Sequence, residues 1–328
     1  MVKKIIITGG CGFIGHGIVE HIMRKTNWEI IILDKLSYAS NGFERIRDIG
    51  ILDNARLRIF TIDLINPFSE GLIKEIGDVN FIVHCAAETH VDNSIRDPVP
   101  FVMNNVASTL NILEYARKCK KLEKFFYFST DEVYGSAPEG VFYKETDRHT
   151  PTNPYSASKS CGEQLAKSYE NTYKLPIIMV NVMNAFGERQ NIEKFIPKCI
   201  KNILEDKKID IHSDKNCEKS GTRFYIHIRN IASAILFLIN KGEIGELYHI
   251  TGEKEMSNLE LAQFVADVLN KELKYELVNF HEDRPGHDLR YALDGSKLFS
   301  LGFKLPLDFK ESLRKTILWT VENDKWLE

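Results

Sequence analysis

Runs of β-branched and aromatic residues alternate with segments of helical period through the first half of the chain. Lys4-Ile-Ile-Ile-Thr8, Glu29-Ile-Ile-Ile-Leu33 and Leu57-Arg-Ile-Phe-Thr-Ile62 are three such runs; Val79-Asn-Phe-Ile-Val-His84, Lys124-Phe-Phe-Tyr-Phe128 and Pro176 to Val182 are three more. Continuous apolar character, rather than alternation, suits strands covered on both faces of a parallel sheet. Between the runs, Ile18, Val19, Ile22 and Met23 recur on one helical face, Pro100 to Lys118 predicts a long helix, and the stretch after Pro151 and Pro154 reads as helical through Tyr169. Strands and helices alternating in this way define an α/β protein with a doubly wound parallel sheet. No internal repeat or low-complexity segment interrupts it. Past Val182 the pattern fades: residues 184–217 are polar and broken, a candidate lid, and Arg223 to Asn240 reads as a strand and helix returning to the sheet. Trp319 and Trp326 read as packing residues.

Candidate chemistry collects where the predicted strands end. Gly9-Gly-Cys-Gly-Phe-Ile-Gly15 follows the first strand at once and opens the first helix. Glycines at such a junction allow a tight turn, close approach of backbone to a pyrophosphate and close packing of helix on strand, while the helix N-terminus receives the negative charge. The second strand ends in Asp34, about 20 residues on, where a carboxylate can take the ribose hydroxyls of an adenosine. An acid there opposes a 2′-phosphate, so NAD is expected rather than NADP; Lys35 beside it weakens this only slightly. Candidate cofactor-binding residues are Gly9, Gly12, Phe13, Ile14 and Gly15 in the loop, Asp34 and Lys35 after the second strand, and Asp63 and Leu64 after the third. Ala86 and Ala87 after the fourth are small enough for a ligand to lie against the backbone, or for a helix to pack there. Residues 1–183, with 223–243 returning to them, are expected to form an NAD-binding Rossmann domain, and 184–222 with 244–328 a smaller α/β substrate-binding domain.

The fifth run leads into Ser129-Thr-Asp-Glu-Val-Tyr-Gly135, which puts two adjacent carboxylates where an apolar strand gives way to a glycine turn. Ligands of open parallel sheets lie outside the carboxyl ends of the strands, so Thr130, Asp131 and Glu132 are candidates to face one. The same residue types also cap helices. Tyr155 and Lys159 are four apart on a predicted helix, hence on one face. An ammonium near a phenol favours phenolate and brings it toward the range of a general base, and the same lysine can hold a nicotinamide ribose.

Charge and composition exclude more than they select. The 328 residues are 43% apolar with a net charge of -3, enough for a substantial core and without the concentrated positive charge of nucleic-acid or membrane binders. The basic run Lys118 to Lys124 reads as a solvated face. Six scattered cysteines form no C-x-x-C pair, so no metal site is expected and free thiols in a reducing, cytoplasmic compartment are. The apolar run after Met1 is far shorter than a signal or spanning segment.

The glycine loop, Asp63, the helix with Asn105 and Tyr155-Ser-Ala-Ser-Lys159 together resemble the extended short-chain dehydrogenase/reductases that act on nucleotide sugars. His84-Cys-Ala-Ala-Glu-Thr-His90, Ser129 to Gly135, Glu193-Lys-Phe-Ile-Pro197 and Asp283-Arg-Pro-Gly-His-Asp288 narrow this to the dTDP-glucose 4,6-dehydratase group. The resemblance implies NAD as cofactor, a homodimer, and Asn105 among the cofactor contacts. It implies that Thr130 and Tyr155 engage the sugar 4-hydroxyl, that Asp131 is the acid and Glu132 the base, and that Lys159 orients cofactor and tyrosine. Glu88, Thr89, Asn184, Lys194, Arg223, Arg284 and His287 match positions near the substrate. Departures fall together: Asn184-Ala-Phe-Gly-Glu188, Ile211-His212-Ser213 and Tyr225-Ile-His227 differ from the thymidine-type pattern, which ranks UDP-linked sugars ahead of dTDP-glucose. A 4-epimerase or decarboxylase on the same fold, and a non-catalytic NAD-binding regulator, stay open as alternatives.

Overall fold

The apolar runs form β1 (Lys4–Thr8), β2 (Glu29–Asp34), β3 (Leu57–Thr61), β4 (Phe81–His84), β5 (Lys124–Thr130) and β6 (Ile177–Val182) in a computed structural model that describes residues 2–279 and 289–328. Shorter strands follow: β7 (Ala185–Phe186), β8 (Ile209–Ser213), β9 (Thr222–Phe224), β10 (Ile226–His227), β11 (Leu247–Ile250), β12 (Glu255–Ser257) and β13 (Tyr275–Asn279). Seven make one sheet in the order β11-β6-β5-β4-β1-β2-β3, every neighbouring pair parallel. Both faces are covered: Ile5 and Ile7 of β1 enter the core on one side, Ile6 the core on the other. The helix Phe13–Lys25 packs on Ile228–Lys241, and Pro98–Ala116 on Pro154–Tyr173. From β1 the chain winds outward through β2 and β3, then restarts at β4 on β1's other side. That reversal opens a crevice at the carboxyl ends of β1 and β4, the usual ligand position in this architecture.

The second half departs from expectation in three ways. Residues 184–217 are not broken throughout, because Ile196, Cys199, Ile200 and Ile203 bury one stripe of the helix Phe195–Leu204 against the helix Asn258–Leu269. Beside it β8 pairs in parallel with β13, giving the smaller core its own two-stranded sheet. The strand near Arg223 does not rejoin the main sheet, since β9 pairs antiparallel with β12 and β10 pairs with β7. Only the helix Ile228–Lys241 returns there, followed by β11 on the free edge of β6, so the return runs past residue 243.

Lys124 corrects the solvated-face reading of its basic run. Its ammonium donates to the carbonyls of Leu238, Ile239 and Gly242 at 3.1, 2.8 and 2.8 Å, capping the C-terminus of the helix Ile228–Lys241. A cation there satisfies carbonyls that the helix leaves open. Lys124→Met should lower the unfolding free energy by about 1 kcal/mol and Tm by about 2–4 °C. An unchanged Tm by calorimetry would show that water serves those carbonyls as well.

Candidate active site

The glycine loop is built for close approach. Gly9 has φ +65°, and a Cβ there would lie 2.9 Å from the Ala86 Cα; at Gly15 a Cβ would overlap the Gly9 carbonyl oxygen. The Gly12 amide donates to that carbonyl at 3.0 Å, closing the turn, and the following helix starts without a side-chain cap. Asp34, buried at the end of β2, accepts from the amides of Cys11 at 3.0 Å and Leu36 at 2.8 Å. Burial raises its pKa above the ordinary value, and those amides oppose the rise. The carboxylate thus ties the glycine loop to the second strand while bordering the cavity. A backbone cradle that any side chain would fill, an uncapped helix start and this carboxylate fit a dinucleotide.

Neighbouring candidates are placed less simply. Lys35 is 2.6 Å from Glu88 and donates to Asn104 at 2.9 Å, so Glu88, an expected substrate contact, is ion-paired with a residue of the cofactor set. Asn105 does not border the cavity. Its amide accepts from the Glu88 N–H at 2.8 Å and donates to the Glu88 carbonyl at 3.1 Å and Ser158 Oγ at 2.8 Å, tying that segment to the helix of Tyr155. Phe13, Ile14, Asp63, Leu64, Ala86 and Ala87 do border the cavity, whose volume is about 590 Å³.

At the end of β5, Thr130 satisfies both readings of its stretch. Its Oγ1 caps the turn Asp131–Tyr134 by accepting from the Glu132 amide at 3.4 Å, and donates to Asp131 Oδ1 at 3.0 Å. Asp131 is buried and accepts from Asn184 Nδ2 at 3.5 Å. Burial and the charge of Glu132 push its carboxyl up to about 7, with the Thr130 hydroxyl and Arg223 opposing. Glu132 is less buried and accepts from Asn153 Nδ2 at 3.3 Å and the Tyr291 hydroxyl at 3.4 Å.

Asn153 also caps the helix Pro154–Tyr173 in a reciprocal box with Ser156, Pro154 occupying the first turn. That helix presents Tyr155 to the cavity, its phenol sharing a side-chain hydrogen bond with Thr130 and its amide donating to Ser94 Oγ at 3.3 Å. Lys159 lies one turn on, buried, its ammonium 4.7 Å from the Tyr127 ring centroid. Burial draws it down to about 8, with Cys85 and Glu163 opposing. The expected lowering of the Tyr155 phenol is not met. Burial pushes it well up, the charges of Glu132 and Asp131 push it further, and only the Thr130 bond opposes.

Thr89, Asn184, Lys194 and Arg223 also border the cavity. Lys194 stands at the start of the helix Phe195–Leu204. Arg223 donates to the carbonyls of Thr222 and Leu289, both at 2.7 Å, and its guanidinium lies 4.5 Å from the Tyr291 ring. Arg284 and His287 lie outside the described residues. Among the described residues no cluster of His, Cys, Asp or Glu could hold a metal, and no helix is long and apolar enough to cross a membrane. Sequence reading missed Asn153, Tyr291 and the buried Glu163, which with Thr130's carbonyl receives both bonds of Asn181 Nδ2, each at 3.1 Å. An Asn directly before Pro154 is a helix-start signal; nothing local marks Tyr291 or Glu163.

Fold and cavity together define a dinucleotide-binding α/β protein of the doubly wound class. The NAD dependent epimerase/dehydratase family matches residues 5–251, and the chain belongs to it. It is 35% identical to the dTDP-glucose 4,6-dehydratase of Escherichia coli, over 99% of this chain and 94% of that one. The crystal structure of the dTDP-glucose 4,6-dehydratase of Streptomyces venezuelae, solved with NAD bound, superposes with a TM-score of 0.89 at 33% identity, covering 99% of this chain and 100% of that one. The UDP-glucose 4-epimerase of Thermus thermophilus, in complex with NAD, has a TM-score of 0.84 at 26% identity, covering 96% and 97%.

The raised Asp131 carboxyl should be visible directly. Infrared difference titration should show two carboxyls titrating near pH 7, the buried Glu163 and Asp131; the latter should be absent in Asp131→Asn and should titrate lower in Glu132→Gln, because the neighbouring negative charge is removed. Since the folded pKa lies above the unfolded one, its protonation favours folding at low pH, and that contribution is lost as pH rises through about 7. A titration unmoved by Glu132→Gln would mean the two carboxyls do not interact.

Proposed function

We propose that the chain is an NAD-dependent nucleoside-diphosphate-hexose 4,6-dehydratase, a hydro-lyase forming a 4-keto-6-deoxy sugar from UDP-GlcNAc, UDP-glucose or dTDP-glucose. The observation that carries the reading is the adjacent Asp131 and Glu132 on the turn closing β5, in one cavity with Tyr155. A 4-epimerase oxidises and reduces C4 and needs no acid and base for a second pair of carbons. The two dehydratases, at 35% and 33% identity, lie nearer than the epimerase at 26%.

The glycine loop, Asp34 and Lys159 would hold NAD, which would supply the acceptor for the C4 hydride and its donor to C6. Tyr155, joined to Thr130, takes the 4-hydroxyl proton as C4 becomes a ketone. That ketone acidifies the C5 hydrogen, which Glu132 removes. Asp131, protonated near neutrality, gives its proton to the 6-hydroxyl, which leaves as water. Hydride reaching C6 and a proton returning to C5 complete the product, one water poorer than the substrate. A phenol cannot accept a second proton, so Tyr155 acts as base only after giving up its own, which the Lys159 ammonium and the positive nicotinamide of bound NAD would favour against burial and the charges of Glu132 and Asp131.

Lys194 and Arg223 supply positive charge for the diphosphate, and Asn184 a polar contact for the sugar. Residues 1–183 with the returning segment hold the cofactor, and the remainder closes over the nucleotide. Val99 and Met103, 65% and 61% exposed on one side of the helix Pro98–Ala116, support a second copy against that face and hence a homodimer. Glu188 is turned to His227 and Arg229, both at 3.2 Å, and His212 borders the cavity, which supports ranking UDP-sugars ahead of dTDP-glucose.

Incubation with UDP- and dTDP-hexoses should give, by mass spectrometry, a product lighter by one water, with a higher kcat/KM for a UDP-sugar. Unchanged mass would favour the epimerase, and loss of carbon dioxide the decarboxylase. Glu132→Gln should still form the 4-keto-hexose while water loss and C5 exchange with deuterated solvent slow by about 10²–10⁴-fold. Dehydration at the parental rate would remove Glu132 as the base.

A further inference from the structure

Three segments at the edge of the cavity meet at one buried guanidinium. Arg45, on the short helix Glu44–Asp48, is 1% exposed and does not itself border the cavity. Its Nη1 donates to the carbonyls of Ala39 at 2.8 Å and Ser40 at 2.7 Å, with a longer bond to Cys11 at 3.4 Å. Its Nε donates to the Arg189 carbonyl at 2.9 Å. Cys11 sits inside the glycine loop, Ala39 and Ser40 border the cavity, and Arg189 leads into Gln190 and Asn191, which border it as well.

The junction is also held from outside. Arg189 has φ +68°, a conformation that costs a non-glycine residue free energy, and its Nε is 2.5 Å from Asp48. Lys325 joins Asp48 at 2.9 Å, and Trp326 and Trp319 lie 5.2 and 4.6 Å from the guanidinium groups of Arg45 and Arg189. Burying a cation to serve backbone carbonyls is a costly way to fill a core, but it fixes three loops in one register.

We propose that Arg45 is a positioning residue for cofactor retention, latching the glycine loop and the Ala39–Ser40 rim to the 189–191 segment so that a bound dinucleotide leaves slowly. The proposal rests on the redox-neutral reaction above, in which the hydride taken from C4 must return to the same sugar. Loops already fixed need no ordering when the dinucleotide binds, which strengthens binding mainly by slowing release.

The test measures NAD release by dilution and chase from loaded protein, with no sugar present. Arg45→Lys keeps the charge but cannot reach all of these carbonyls, and NAD release should accelerate by about tenfold or more. Asp48→Asn, which loosens Arg189 and Lys325, should accelerate it in the same direction and covers the case in which an Arg45 variant fails to fold. Lys124→Met, destabilised far from the junction, should leave release within about twofold of parental. Release unchanged in both Arg45→Lys and Asp48→Asn, or accelerated equally in Lys124→Met, would overturn the proposal. Parental protein that binds NAD but removes water from no nucleotide sugar would defeat the dehydratase reading alone, leaving the release rates to decide the latch.

Discussion

Two carboxyl groups on consecutive residues at the end of a central strand, one buried and one half-buried, are the constraint on which the site depends. Like charges so close in a dry place cannot both ionise freely, so Asp131 holds its proton to about 7 and Glu132 keeps the more open position. Separation of the pair into acid and base follows from that difference in environment. Holding it requires donors from four directions: Thr130 beside it, Asn153 from the next helix, Asn184 after β6, and Tyr291 from the far end of the chain. The turn is therefore assembled only when both halves of the protein have folded together.

The sheet sets the distances. Because β5 and β4 are parallel neighbours, their carboxyl ends bring the Thr130 turn and the Ala86–Ala87 strand end to one rim, and β1 beside β4 adds the glycine loop. Asn181 on β6 then fixes the Thr130 carbonyl and the buried Glu163 together, so the helix carrying Tyr155 and Lys159 is registered to the same strand end. A dinucleotide and a sugar meeting there would each contact residues whose positions the other half secures.

Most of the sheet was legible because each central strand is a continuous apolar run ending in a polar or glycine residue, a pattern that burial on both faces imposes locally. The glycine loop and Asp34 were legible for the same reason: their spacing is set within one strand-turn-helix unit. What was not legible comes from distant chain segments. The i, i+4 spacing of Tyr155 and Lys159 suggested a lowered phenol, whereas the neighbours that set it, Glu132 and Asp131, approach from another strand and raise it. Lys124 read as surface charge because its partners are helix carbonyls more than a hundred residues away. Asn105 was given to the cofactor by resemblance, yet its amide secures Glu88 and Ser158. Residues 184–217 looked broken because their core is shared with the helix Asn258–Leu269, which the local pattern does not reveal.

The central claim is that one hydride leaves C4 and returns to C6 of the same sugar within a site that also removes water. A nucleotide hexose deuterated at C4, turned over in ordinary water, tests it most directly. The account predicts a 4-keto-6-deoxy product carrying the deuterium at C6, with none from added unlabelled molecules when labelled and unlabelled substrates are mixed. Deuterium still at C4, lost to solvent, or scrambled between sugar molecules would contradict it.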